Sequence, residues 1–270
     1  MKNINVVATG LQFPEGPSFT SDGTLWCVEQ NGESLFWLKP DGSTGRVPTG
    51  SGSRPNGLYI DDLDRIWFCD SGLQAIRCLN RSADPEGRQE PEIIIDRVDD
   101  EPLNWPNDLI TDADGNLIFS CPGPSDDDSH GYVCACTPVG EVRKITDRLV
   151  YPNGVAFLPN GHTLLIAETH RKRIWAGRWD PNSLQWINPT VWAETGPDGH
   201  GPDGLTLGPD NRIYAAIYGG SRLQVYKPTG ELVETIPLPG QNPTNCTFDP
   251  TGRLGLVITE GEKGELLSIV

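Results

Sequence analysis

The chain has little methionine, one in 270 residues, and is short of positive charge, with 21 Lys and Arg against 37 Asp and Glu. A formal charge of −16 argues against nucleic acid and anionic membrane surfaces as partners. It favours a cation, and it repels anionic substrates unless something local offsets the field. No apolar run approaches the ~20 residues of a membrane span. The opening residues, MKNINVVATGLQFPEG, lack the apolar h-region of a secretory signal. The cysteines are seven, an odd number, and Cys27, Cys69 and Cys78 sit in strand-like runs. These features together predict a reducing, cytoplasmic setting. Cys134-Ala-Cys136 lacks the spacing of a redox or zinc C-x-x-C pair, so the thiols read as buried strand residues. Neither H-E-x-x-H nor an i, i+4 histidine pair occurs, and His130, His162 and His170 read as surface or turn residues. Without G-x-S-x-G, a serine hydrolase of the α/β type has no support.

Turn formers are abundant instead. Gly 31 and Pro 24, with few helix formers, favour an all-β fold. One stretch, GHGPDG at 199–204, satisfies the G-x-G-x-x-G pattern of a dinucleotide loop. That reading needs a helix to follow. LTLGPDNRIYAAIY follows, which reads as strand, turn and strand. The loop therefore serves another purpose.

That purpose comes from a repeat. PEGPSFTSDGTLW, PNGLYIDDLDRIW, PNDLITDADGNLI, PNGVAFLPNGHTLL, PDGLTLGPDNRIY and a degenerate PTNCTFDPTGRL recur at a period of roughly 46 residues. In each, a proline opens a strand, a D-G, N-G or D-N turn follows, and a second strand such as RIWFC or NLIFS comes next. Two more strand-like runs fill most units, AIRCLN and EIIIDR in the second. Four strands at this period are the signature of a propeller blade. Six copies predict a six-bladed β-propeller of four-stranded antiparallel blades, a single domain over residues 1–270. The last copy is one strand short, and INVVATG near the N-terminus is expected to complete that blade and close the ring. Eight tryptophans, with Trp26 and Trp67 at matching positions, read mainly as blade core.

Innermost strands line the channel of a propeller, so equivalent positions converge. The residues after proline are Glu15, Asn56, Asn107, Asn153, Asp203 and Thr244. Each carries an oxygen, and a ring of hard oxygen ligands suits Ca²⁺ or Mg²⁺. Turn chemistry explains single Asn or Asp residues here but explains Glu15 least. Asp126-Asp127-Asp128 reads as a solvated loop, with a second calcium as the alternative.

Glu15-Gly16-Pro17, Pro106-Asn107-Asp108, Pro152-Asn153-Gly154 and Pro202-Asp203-Gly204 together carry a likeness over essentially the whole chain. It resembles the senescence-marker protein-30, gluconolactonase and luciferin-regenerating-enzyme family. The resemblance implies one catalytic divalent cation on the axis, Ca²⁺ foremost, with Zn²⁺, Mg²⁺ or Mn²⁺ as alternatives. It implies Glu15, Asn153 and Asp203 as direct ligands and Asp203 as general base or nucleophile. Asn107 looks like the family asparagine that contacts water or substrate. In related organophosphate-hydrolysing propellers an asparagine at this place also ligates, so Asn107 belongs to both sets. Animal members have arginine where this chain has Trp105, and a lid glutamate where it reads SCPGPSDDD. Trp105 becomes a candidate substrate contact able to stack on a ring, or it packs the loop. His200 is a candidate for assisting proton transfer. The implied activity is metal-dependent opening of a small sugar lactone by a monomer or small homo-oligomer. The alternatives are a phosphotriesterase or aryl esterase on the same site, a metal-free relative, or a non-catalytic interaction platform.

Overall fold

The computed structural model describes residues 3–80, 90–124 and 130–270. Six four-stranded antiparallel sheets follow one another along the chain, each repeating the same hairpin order outward from its first strand. The first comprises Pro14–Phe19, Leu25–Glu29, Ser34–Leu38 and Thr44–Pro48, and the second begins with Pro55–Ile60 and Arg65–Asp70. The fourth and fifth blades begin with Pro152–Phe157 and Gly201–Leu207. Ile4–Ala8 pairs with Glu265–Ile269, Ile4 opposite Ile269, and so completes the sixth blade, which starts at Pro243–Phe248. The ring closes as the sequence predicts, and no blade is left with an open inner edge at the join. A small hairpin, Arg97–Val98 with Glu101–Pro102, is added between the second and third blades.

The core is six wedges rather than one mass. Trp26, Val28 and Leu35 of the first blade pack on Ile66, Phe68 and Leu79 of the second. Corresponding clusters fill the other blade-to-blade seams, the last joining Leu25 and Phe36 to Val257 and Leu266 across the closure. All seven cysteines are free and buried. Trp67 is half-buried, and its Nε1 donates to Asp61 Oδ2 at 3.0 Å. Among the described residues no helix is long and apolar enough to cross a membrane.

Two features of the repeat aim side chains at the axis. In the second, fourth, fifth and sixth blades, pairing between first and second strand breaks just after the proline, and in the first it breaks one residue later, after Glu15 opposite Val28. Pro55 faces Asp70, for instance, but the next partners are Leu58 and Phe68. Such a bulge re-aims the skipped residues, here Asn56, Asn153, Asp203 and Thr244. The third blade departs further, because its first strand starts only at Leu109, in Leu109–Thr111. Asp108 stands there where four other copies have glycine. Its Oδ2 takes the Val155 N–H of the next blade at 3.1 Å, while the backbones of Asn107 and Asp108 still bond Ser120 of the second strand.

The glycines exist because neighbouring inner strands nearly touch. A Cβ on Gly154 would lie 2.2 Å from the backbone oxygen of Asp203, and one on Gly57 would lie 2.4 Å from Asp108 Oδ1. Gly154→Ala is therefore expected to destabilise the fold by about 1–3 kcal/mol, the usual cost of overpacking. Urea unfolding checks this, and an unchanged midpoint would show that the two strands are not in contact.

Candidate functional site

Five of the six post-proline residues converge on one cavity of about 480 Å³ at the channel's end. Glu15, Asn56, Asn107, Asn153 and Asp203 all line it. All five are almost sealed from bulk water: Glu15 and Asn153 are 4% exposed, Asn56 and Asn107 7% and Asp203 8%. Thr244 corrects the sequence reading of a complete ring. Its hydroxyl lies 2.9 Å from the Pro14 carbonyl oxygen and 2.8 Å from Thr259 Oγ1, so it ties the closing blade to the first. Asn245, one residue on, instead hydrogen-bonds Glu15 through its side chain.

The electrostatics are unusual. Burial, then the charge of Asp108, push the Glu15 carboxyl up to about 8, while the Gly16 N–H and Asn245 pull the other way. Burial, then the charges of Glu15 and Asp108, raise Asp203 well above the ordinary carboxylate range, against a hydrogen bond from Asn153. Asp108 is pushed up to about 7 by burial, opposed by the Val155 and Leu109 N–H groups. Among the described residues the groups acting on Glu15 and Asp203 are carboxylates, amides and a backbone N–H, with no Lys or Arg among them. Two buried acids facing each other without a counter-charge are costly.

Asp108 was not singled out by the repeat, although its signal is plain: a carboxylate where the pattern has glycine. A second overlooked signal lies at the end of the second strands. Glu29, Asp70, Glu168 and Glu260 close that strand in four blades and are buried. Each accepts the N–H of a residue just before the proline: Gln12 at 3.1 Å, Arg54 at 2.9 Å, Val150 at 2.8 Å and Asn242 at 2.8 Å. These carboxylates fix the loops from which the site is built.

The walls above the acids are aromatic. Phe13, Trp105 and Tyr151 line the cavity, each directly before a proline and each with left-handed backbone, φ 60, 55 and 58. Such backbone costs on the order of 1–3 kcal/mol per non-glycine residue and persists where the surroundings enforce it. Trp105 thus reaches the cavity as the sequence reading requires. His170 is a turn residue as expected, but its turn also reaches the cavity. The short 3-10 turn Thr169–Arg171 carries it to the cavity wall, where its ring stacks on Tyr151 at 4.6 Å and 13°. His200 also lines the cavity, its ring 5.4 Å from that of Tyr218. His162 sits exposed in a turn as expected. The side chain of His130 and the run Asp126–Asp128 lie outside the described residues, as does the end of the SCPGPSDDD segment from residue 125 on.

Among the described residues no three His, Cys, Asp or Glu side chains gather as a metal-holding group. Its buried side chains offer two carboxylates and amide oxygens instead, His170 and His200 being more exposed on the wall. That donor set fits a hard, oxygen-seeking cation and not a thiolate- or imidazole-bound one. The missing counter-charge fits the same conclusion.

Comparison with known proteins agrees with this architecture. The model of the SMP-30/Gluconolactonase/LRE-like region matches residues 13–262. A gluconolactonase of Zymomonas mobilis is 28% identical, over 98% of this chain and 78% of its own. The diisopropyl-fluorophosphatase of Loligo vulgaris is 27% identical, over 92% of this chain and 85% of its own. The solved structure of a Xanthomonas campestris gluconolactonase superposes with a TM-score of 0.84 at 25% identity, covering all of this chain and 90% of that one. With its six blades, its axial acids and a family match over nearly its whole length, the chain belongs to the SMP-30/gluconolactonase/LRE-like family.

Proposed function

We propose that the protein is a divalent-cation-dependent hydrolase that opens a small sugar lactone. The observation that carries this reading is the pair of buried, uncompensated carboxylates, Glu15 and Asp203, flanked by Asn153 and Asn107 in one cavity. The named gluconolactonases among its relatives support the reaction type.

Glu15, Asn153 and Asp203 would hold the cation, with Asn107 at its open side. When bound, the cation, Ca²⁺ foremost, supplies Lewis-acid polarisation of the lactone carbonyl and offsets negative charge growing on its oxygen. Asp203 acts as the general base. It takes a proton from water as the water oxygen bonds to the acyl carbon. The ring C–O bond then breaks, and the leaving oxygen takes the proton back. The product hydroxy acid ionises, so each turnover releases one proton to the solution at neutral pH. Asn107 orients water or the carbonyl by hydrogen bonding. The aromatic walls exclude bulk water and offer flat faces to a ring. His200 and His170 sit at the mouth, within reach of a proton leaving the site.

The squid relative favours a second reading, hydrolysis of a phosphotriester on the same residues. A panel decides between them. Chelated protein is supplied with Ca²⁺, Mg²⁺, Mn²⁺ or Zn²⁺ and assayed by proton release on five- and six-membered aldonolactones and on a fluorophosphate ester. Lactone opening that returns with a cation supports the proposal. Ester hydrolysis without lactone opening would transfer the assignment to the second reading.

The buried acids also fix a pH dependence. Glu15 and Asp108 lie above their ordinary values of 4.5 and 3.8, at about 8 and about 7. Raised carboxyl values mean that the folded state holds its protons more tightly than the unfolded one. Their stabilising contribution is full at acid pH and is lost as pH rises through 8. Asp41, Asp61 and Asp249 are shifted downward and act at lower pH, outside this window. Chelated protein is thus expected to lose thermal stability between pH 5 and about 8, and added Ca²⁺ to restore more at pH 8 than at pH 5. Melting curves at the two pH values test this. A chelated protein that is more stable at pH 8 would contradict it.

A further inference from the structure

The repeat brings a second set of residues to the cavity, one position before each proline. Phe13, Arg54, Trp105 and Tyr151 occupy that position in the first four blades, and all four line the cavity. Arg54 differs from the others in chemistry. It is the single Lys or Arg on the cavity wall among the described residues.

Its backbone is held on both sides. The Arg54 N–H donates to Asp70 Oδ1 at 2.9 Å, and its carbonyl accepts the Ser71 N–H and hydroxyl, each at 3.0 Å. Asp70 is fully buried and also takes the Ser53 hydroxyl at 2.6 Å and Arg77 at 3.0 Å, so the anchor cannot drift. The side chain is placed as well. The guanidinium carbon lies 5.8 Å from the centroid of the Trp105 ring, and Nη2 donates to Gln30 Oε1 at 3.3 Å. No carboxylate among the described residues pairs with it. The fork therefore keeps most of its N–H donors for something that enters from solvent.

The chain's charge of −16 and the acids on the cavity floor repel any anion approaching the site. A neutral substrate has no need of a fixed guanidinium at the mouth. An acidic substrate does, and a planar fork matches a carboxylate or phosphate in two parallel hydrogen bonds. Resting on the lactonase reading, we propose that Arg54 is a specificity residue that binds an anionic group, a carboxylate or a phosphate, on the substrate, so that the preferred lactone is an acidic one.

The test is proton release by cation-loaded protein on three lactones of similar ring: gluconolactone as the neutral probe, glucarolactone for carboxylate and phosphogluconolactone for phosphate. Wild type is expected to show a kcat/KM for one acidic probe about 10-fold or more above that for gluconolactone, and the advantage shrinks at high salt. Arg54→Met is expected to cut that ratio by about 10- to 100-fold, the worth of a charge-assisted hydrogen bond, chiefly through KM. Arg54→Lys is expected to fall between, since it keeps the charge and loses the fork. The acidic probe that responds identifies the group. A wild type that opens gluconolactone as well as either acidic probe overturns the assignment while leaving the lactonase reading intact, as does a ratio unmoved in Arg54→Met. The wild-type preference and its salt dependence stand as the test even where the variant fails to fold. If none of the three lactones opens with any cation, the lactonase reading itself falls, and this assignment falls with it.

Discussion

Replacing Asp203 by asparagine lowers lactone hydrolysis by about 10²- to 10⁴-fold, the range a positioned general base contributes. The amide is nearly isosteric and keeps the hydrogen-bonding side of the group, but it cannot accept a proton from water. The same substitution has an opposite effect on stability. Asp203 is nearly sealed from solvent, and the charges that act on it are the like charges of Glu15 and Asp108. Removing a buried charge that nothing compensates relieves the chelated fold. Chelated Asp203→Asn is therefore expected to melt above chelated wild type at pH 8. Activity lost together with melting temperature would instead mark Asp203 as a residue that only holds the blades together.

Glu15→Gln separates cation holding from proton transfer. Glu15 Oε2 accepts the Gly16 N–H at 2.7 Å, an arrangement the amide oxygen can reproduce, so the loop is expected to stay in place. What the variant loses is negative charge. Outer residues that merely support a ligand typically cost 10- to 100-fold in metal affinity, and a direct carboxylate ligand should exceed that. Calorimetric titration with Ca²⁺ should show affinity reduced by more than about 100-fold, with part of the activity regained at saturating cation. Unaltered Ca²⁺ affinity would remove Glu15 from the cation site.

The contrast between these residues and their neighbours shows what a sequence of this kind discloses. The propeller was legible because one phrase, a proline, a polar residue and usually a glycine before a strand and turn, returns six times in phase. The closing role of Ile4–Ala8 was legible because the last copy lacks a strand. Glu15, Asn107, Asn153 and Asp203 were legible because convergence on an axis turns sequence phase into spatial proximity. Phase alone misled at Thr244, since position in the repeat does not say whether a small hydroxyl points to the cavity or is spent on its own strand pair. It was silent on Asp108, where the informative sign was a break in the pattern rather than the pattern itself. His170 could not be placed from local sequence, because the turn that carries it projects to the cavity only once the fourth blade is packed against its neighbours. Arg54 carried no such sign, because the position before the proline changes from Phe13 to Arg54, Trp105 and Tyr151 and has no chemistry common to the repeat.

The central claim is that one cation, held by Glu15, Asn153 and Asp203, makes this cavity a hydrolase. Titrating chelated protein with Ca²⁺ while following proton release from gluconolactone tests it most directly. Turnover is expected to be negligible without cation and to rise until a single site is filled, with Glu15→Gln displaced to higher concentration. Full turnover in rigorously chelated protein would contradict it.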